Sequence, residues 1–160
     1  MRVLICFSSK YGFTERCAKR IAEKIRGEAR LFNLDRERRP DLSWPDVVLI
    51  GGPIYGGKIR RRVPAFCDAR MEELRAKRVG IFITCLSTGE TAEALLSSSF
   101  PDWLHAHAFA RVVLGGEVHR GALTAFDRLL VRGVSGGADV VRVNQAALEE
   151  LARAVNAQEG

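Results

Sequence analysis

Seven consecutive residues, Ser8-Ser9-Lys10-Tyr11-Gly12-Phe13-Thr14, have the types and spacing to hold a phosphate. They follow an apolar run, Val3-Leu4-Ile5-Cys6-Phe7, and precede a segment in which Cys17, Ala18, Ile21, Ala22 and Ile25 recur at helical spacing. A loop between a strand and a helix start presents the free N–H groups of the first turn, and the helix dipole favours an anion there. Ser8, Ser9 and Thr14 add hydroxyls, Lys10 adds a positive charge if it turns inward, and Gly12 lets the backbone close tightly. The same residues also suit an ordinary helix start with Ser9 or Thr14 as N-cap.

Two further loops are chemically biased. Gly52-Pro53-Ile54-Tyr55-Gly56-Gly57 sets one aromatic ring in a glycine-rich turn, where it can present a face to a planar ligand. Cys85-Leu86-Ser87-Thr88-Gly89 offers small residues and backbone donors, although Ser87 and Glu90 also have the spacing of a capping box. Cys85 itself reads as a small buried residue rather than a reactive thiol. A fourth element, Gly115-Gly116, would let a ligand edge approach the backbone.

The elements that must position these loops alternate in type. Strands are predicted over Val3–Phe7, Ala29–Leu34, Asp46–Ile50, Arg78–Thr84 and Phe109–Leu114. Continuous apolar runs such as Val47-Val48-Leu49-Ile50 mark strands buried on both faces. Helices are predicted after the first loop, through Val63, Phe66, Cys67, Met71 and Leu74, through Ala92–Leu96 with an interruption near Phe100-Pro101 and a resumption to His107, and after Asn144. This pattern predicts one α/β domain over residues 1–160, a doubly wound five-stranded parallel sheet with helices on both faces. The three loops then fall at strand ends, where such sheets bind ligands.

Composition narrows the class further. No apolar run approaches a membrane span, and the chain enters a strand at once, so a cytoplasmic protein is expected. Cys6, Cys17, Cys67 and Cys85 are scattered and share no metal-ligand spacing with the histidines. A net charge of +6 points to acidic partners or a membrane surface, not by itself to nucleic acid, and no nucleic-acid partner is expected. A phospho-receiver fits the sequence poorly, because Phe7-Ser8 and Gly51-Gly52 stand where its acidic residues are needed. Nucleotide hydrolysis lacks its G-x-x-x-x-G-K-[ST] loop.

One stretch departs from plain alternation. About thirty residues separate the fifth strand from the last helix, more than a connection needs. An insertion is therefore predicted around 117–137, with a helix over Gly121–Val134 carrying Leu123, Phe126, Leu130 and Val134 on one face. The pattern reads first as a surface helix packed on the domain; the alternative is a docking element, whose arginines would allow peripheral membrane contact.

Taken together, S-S-K-Y-G-F-T followed by E-R-C-A-K-R-I-A-E-K-I, and I-G-G-P-I-Y-G-G-K-I further on, resemble the flavodoxin family over nearly the whole chain. The second segment looks like the branch that includes single-domain flavodoxins and menaquinone-dependent protoporphyrinogen oxidases. The resemblance implies strand order 2-1-3-4-5 and non-covalent FMN. The phosphate would lie on Ser8, Ser9, Lys10, Tyr11, Gly12, Phe13 and Thr14. The isoalloxazine would lie between Pro53, Ile54, Tyr55, Gly56 and Gly57 and the loop Cys85, Leu86, Ser87, Thr88 and Gly89, with Gly116 nearby. Electron transfer between a donor and a redox partner protein or small apolar acceptor follows, with quinone-coupled protoporphyrinogen oxidation as the alternative. The chain departs from the family in having Leu86 and no ring in the third loop, and in being basic where small electron carriers tend to be acidic.

Overall fold

Strand β1 (Arg2–Phe7) sends alternate apolar side chains to opposite faces, and each face meets its own core. The computed structural model, which describes residues 1–118 and 140–159, places Val3, Ile5 and Phe7 in one cluster and Leu4 and Cys6 in the other. Strand β3 (Val47–Tyr55) divides in the same way, Val47 and Leu49 against Val48 and Ile50. So does β5 (Arg78–Thr84), with Phe82 against Val79, Ile81 and Ile83.

With β2 (Glu28–Asn33) and β6 (Ala110–Val113) these strands pair in parallel, in the order β2-β1-β3-β5-β6. This is the expected 2-1-3-4-5 order once β4 (Lys58–Ile59) is set aside, a two-residue strand that folds back antiparallel on Ile54 and Tyr55. One face of the sheet is covered by α1 (Phe13–Lys24) and α6 (Gln145–Asn156), through Cys17, Ala18, Ile21, Leu148, Leu151 and Val155. The other is covered by α2 (Arg62–Ala69), α3 (Met71–Arg75), α4 (Gly89–Ser99) and α5 (Asp102–His107).

Several boundaries differ from the sequence reading. Strand β3 runs past Ile50 to Tyr55, because Gly51, Gly52 and Pro53 continue the ladder opposite Phe82, Ile83 and Thr84. The helix predicted through Leu74 is two helices that break at Arg70, whose guanidinium pairs with Glu73 and donates to the Pro40 carbonyl. The break at Phe100-Pro101, by contrast, falls where the sequence places it: α4 stops before it and α5 runs on to His107.

The largest difference is at the insertion. The chain does not leave the fold at Gly115-Gly116 but forms a hairpin of β7 (Gly115–Val118) and β8 (Val140–Val143), in register from Gly115↔Val143 to Val118↔Val140. Gly115, at φ +86°, makes the turn out of β6 that a side chain would oppose. The insertion therefore begins and ends in a paired stem wider than 117–137. The helix predicted over Gly121–Val134 lies outside the described residues. Among the described residues no helix is long and apolar enough to cross a membrane.

Candidate functional site

The loops after β1, β3 and β5 open at one end of the sheet, where strand order reverses between β1 and β3. They enclose a cleft of about 320 Å³. Its walls include Ser9, Lys10, Tyr11, Phe13 and Thr14 from the first loop, and Pro53, Ile54, Tyr55, Gly56 and Gly57 from the second. Cys85, Leu86 and Ser87 from the third loop and Gly116 from β7 complete them. Four sequence candidates lie off this wall. Ser8 is buried beneath the loop, Gly12 caps α1, and Thr88 and Gly89 line a neighbouring hollow.

The first loop is shaped by its own hydroxyls. Ser8 Oγ donates to Asp35 Oδ2 at 2.8 Å, and the Ser9 amide donates to the same oxygen at 2.8 Å. Ser9 Oγ accepts from the amides of Gly12 at 3.2 Å and Glu15 at 3.4 Å. Thr14 Oγ1 and Thr84 Oγ1 share a hydrogen bond of 2.8 Å, both side chains being buried. Neither Ser9 nor Thr14 is the N-cap of α1; that position is Gly12, at φ 93°. Phe13 and Thr14, the first residues of α1, line the cleft, and first-turn amides have no intrahelical acceptor. Serine and threonine thus set the loop, and a helix start of this kind favours an anion.

Asp35, which no sequence motif singles out, organises this loop. Its second oxygen accepts from Arg60 Nη2 at 3.1 Å, with Arg62 Nε 3.6 Å away. Burial alone would raise its pKa, but the Ser9 amide, the Ser8 hydroxyl and Arg60 outweigh that and hold it below the usual carboxylate range. Its detectable signal was position: it lies two residues past the end of β2, the neighbour of β1 in a 2-1-3 sheet. Thr84, Thr91, Leu95, Glu117 and Val118 also line the cleft and were not anticipated. Thr84 closes β5 and was legible in principle, whereas Glu117 and Val118 depend on the hairpin.

On the opposite side two rings meet. Tyr11 and Tyr55 make an edge-to-face contact, centroids 5.7 Å apart and planes at 79°. Lys10 Nζ lies 5.4 Å from the Tyr11 ring and 5.7 Å from the Tyr55 ring. Val118 packs against both tyrosines and Leu86, so the insertion stem covers the ring pair. The stem is held in place by an ion pair between Arg16 and Glu117 and by Arg142 Nη1 donating to the Leu86 carbonyl at 3.2 Å. Gly116 stands against the third loop, where a Cβ would come within 2.6 Å of the Cys85 carbonyl carbon. The capping box expected from Ser87 and Glu90 is not formed; Thr88 is the N-cap of α4 and makes no side-chain cap bond.

The cleft cysteine is shielded. Cys85 is buried, its thiol pushed up by that burial, with Sγ 3.8 Å from the Ser87 carbonyl oxygen. Cys17 and Cys67 are pushed up to about 11 and about 12, again mainly by burial, and Cys6 is raised further. Iodoacetamide at neutral pH is therefore expected to label none of the four cysteines appreciably in the native protein and all four after unfolding. Mass spectrometry of the two samples checks this.

A phosphate-directed helix start, an aromatic wall and a position at the switch point of a parallel sheet define a mononucleotide-binding α/β protein. The family model for a flavodoxin domain matches residues 4–139, and the chain belongs to that family. No curated protein matches the sequence. Among solved structures, the chain is similar to two-electron reduced Megasphaera elsdenii flavodoxin, with TM-score 0.62, 18% identity and coverage of 97% of this chain and 98% of that one. It is also similar to a flavodoxin from Streptococcus pneumonia TIGR4, with TM-score 0.58, 14% identity and 99% coverage of each chain. A third, rubredoxin oxygen:oxidoreductase from Desulfovibrio gigas, gives TM-score 0.56 and 20% identity over 98% of this chain. The present chain spans only 36% of the length of that protein. At these identities the likeness establishes the fold.

FMN is the cofactor that family membership brings, and the cleft fits it. The α1 start offers amides for a phosphate, and the wall at Tyr55, Leu86 and Val118 is apolar enough for a flat ring system.

Proposed function

We propose that this protein is an FMN-dependent redox protein that passes electrons between a donor and a separate acceptor. The observation that carries this reading is the convergence of the α1 N-terminus and the Tyr11–Tyr55 pair on one cleft. The first-turn amides of α1, with Ser9 and Thr14 nearby, would take the phosphate. Tyr55 and its glycine-rich loop would face Cys85, Leu86 and Ser87 across the ring. Bound FMN supplies the one- and two-electron chemistry. The chain's own residues orient the ring, exclude water through Leu86 and Val118, and place Lys10 beside the tyrosines. The acceptor would be a partner protein or a small apolar molecule. The oxygen-reducing activity in the name of the longer neighbour belongs to that protein.

The test is reconstitution. Incubation with FMN should quench flavin fluorescence and leave a yellow protein after gel filtration. A protein that stays colourless would remove the proposal. Tyr55→Ala is expected to weaken FMN binding by about 1–2 kcal/mol, the scale of an aromatic contact with its buried area. Fluorescence titration reads that loss, and an unchanged affinity would take Tyr55 out of the ring site.

The alternative of quinone-coupled protoporphyrinogen oxidation finds no support in the family match or the neighbours. Its one structural motive is that the insertion stem stands on the ring pair, Val118 against Tyr11 and Tyr55. An assay of protoporphyrinogen oxidation with menaquinone decides it.

A further inference from the structure

The chain's positive charge is concentrated in two short segments. Residues 34–40 and 58–62 hold seven basic and two acidic side chains, a net of +5 out of the whole chain's +6. Folding brings the two segments together, because Asp35 pairs with both Arg60 and Arg62. Arg36, Arg38, Arg39 and Arg61 are exposed and have no ion-pair partner among the described residues. The excess is therefore not absorbed inside the fold.

Two of these arginines, Arg38 and Arg39, line a groove rather than a flat face, and Arg36 and Arg61 adjoin lining residues in the chain. It holds about 510 Å³ and is lined by Arg38, Arg39 and Arg62, by Arg70, which pairs with Glu73, and by one carboxylate, Glu37, with Pro40 and Phe66 among its apolar walls. One carboxylate separates the groove from the cleft: Asp35 holds Arg60 and Arg62 on one oxygen and Ser8 and Ser9 on the other. A molecule seated in the groove lies beside the candidate phosphate loop.

We propose that this groove is the docking surface for an acidic redox protein, which sets carboxylates on Arg38 and Arg39 and an apolar side chain between Pro40 and Phe66. The proposal rests on the redox reading of the adjacent cleft. Guanidinium forks match carboxylates in pairs, and opposite patches steer encounter between proteins. A concave apolar hollow takes a protruding side chain, which the plane of a bilayer surface does not supply. The same charge sets the partner's chemistry: the complement of a net +5 over these two segments is an acidic protein.

The experiment measures binding directly, with FMN loading measured beside it. The probe is a plant-type ferredoxin, an acidic electron-transfer protein, with basic cytochrome c as the opposite-charge control. Fluorescence anisotropy is read at low and high salt for wild type and for the triple variant Arg36→Glu, Arg38→Glu, Arg39→Glu. A second triple variant, Arg20→Glu, Arg26→Glu, Arg153→Glu, makes the same change in net charge elsewhere. Wild type should bind ferredoxin at low salt and lose about tenfold or more in affinity at high salt. The groove variant should lose at least that much at low salt, the distant variant much less, and cytochrome c should not bind. FMN titration of the groove variant should match wild type, since none of its three changed residues contacts the cleft. Equal losses in both triple variants, or no ferredoxin binding by wild type, would overturn the docking site while leaving FMN binding standing. Groove-dependent sedimentation with phosphatidylserine vesicles, without ferredoxin binding, would overturn it in favour of a lipid surface. Failure of wild type to take up FMN would instead strike the redox reading.

Discussion

Gly115→Ala is expected to destabilise the protein by about 3 kcal/mol, combining strain at a left-handed position with a backbone clash. Gly115 has φ +86°, and a Cβ built there lies 1.9 Å from the Arg142 carbonyl oxygen and 2.9 Å from the Asn144 amide. Neither neighbour yields easily. The Asn144 amide donates to the Leu114 carbonyl at 3.0 Å, its side chain caps α6 through the Ala147 amide, and Arg142 reaches the Leu86 carbonyl. Any relief must move β7 against β8 or pull Gly116 off the third loop, so the cleft wall changes with the stem. Gly57→Ala is the matched control: φ is +74° there too, but a Cβ meets nothing within 4 Å. It should cost only the conformational penalty, about 1 kcal/mol. Thermal melts should separate the two variants by several degrees, and FMN affinity should fall for Gly115→Ala. Coincident melting curves would mean that the stem is not packed as described.

Asp35→Ala is expected to cost about 1–3 kcal/mol of stability and to weaken FMN binding with it. Ser8 is fully buried, so its hydroxyl has no water to replace the lost acceptor. The Ser9 amide loses the same partner, and Arg60 loses its carboxylate. Asp35→Asn keeps one acceptor oxygen and should lose less. The pH dependence follows from the lowered pKa of the folded state. Carboxylate stabilisation is fully present above the unfolded value of about 3.9 and fades as pH falls through the lower folded value. Urea melts of wild type and Asp35→Asn should therefore differ at neutral pH and converge in strong acid. A difference that persists unchanged in acid would show that Asp35 does not act as a carboxylate.

The parallel sheet was legible because its signal is local. Apolar runs at Val3–Phe7, Val47–Ile50 and Val79–Ile83 say buried strand without reference to anything distant. Loop chemistry was legible for the same reason: hydroxyls, glycines and a lone tyrosine cluster at the ends of those runs. The protein partners of the loop hydroxyls were not. Ser8 and Thr14 read as phosphate donors, and the fold adds a partner for each, Asp35 for Ser8 and, seventy positions along the chain, Thr84 for Thr14. A hydroxyl bonds whatever lies within reach, and what lies within reach is set by strand order.

The amino-acid sequence by itself determined the alternation of strands and helices, the two-sided burial of the sheet and the three loops at its end, because each depends on neighbours within a few residues. Tertiary structure alone decided the Asp35 clamp, the Tyr11–Tyr55 contact, the β7–β8 stem at Gly116 and the arginine groove. Each joins residues from separate strand ends, and their meeting depends on how parallel strands are ordered and how far each continues, which no local pattern encodes.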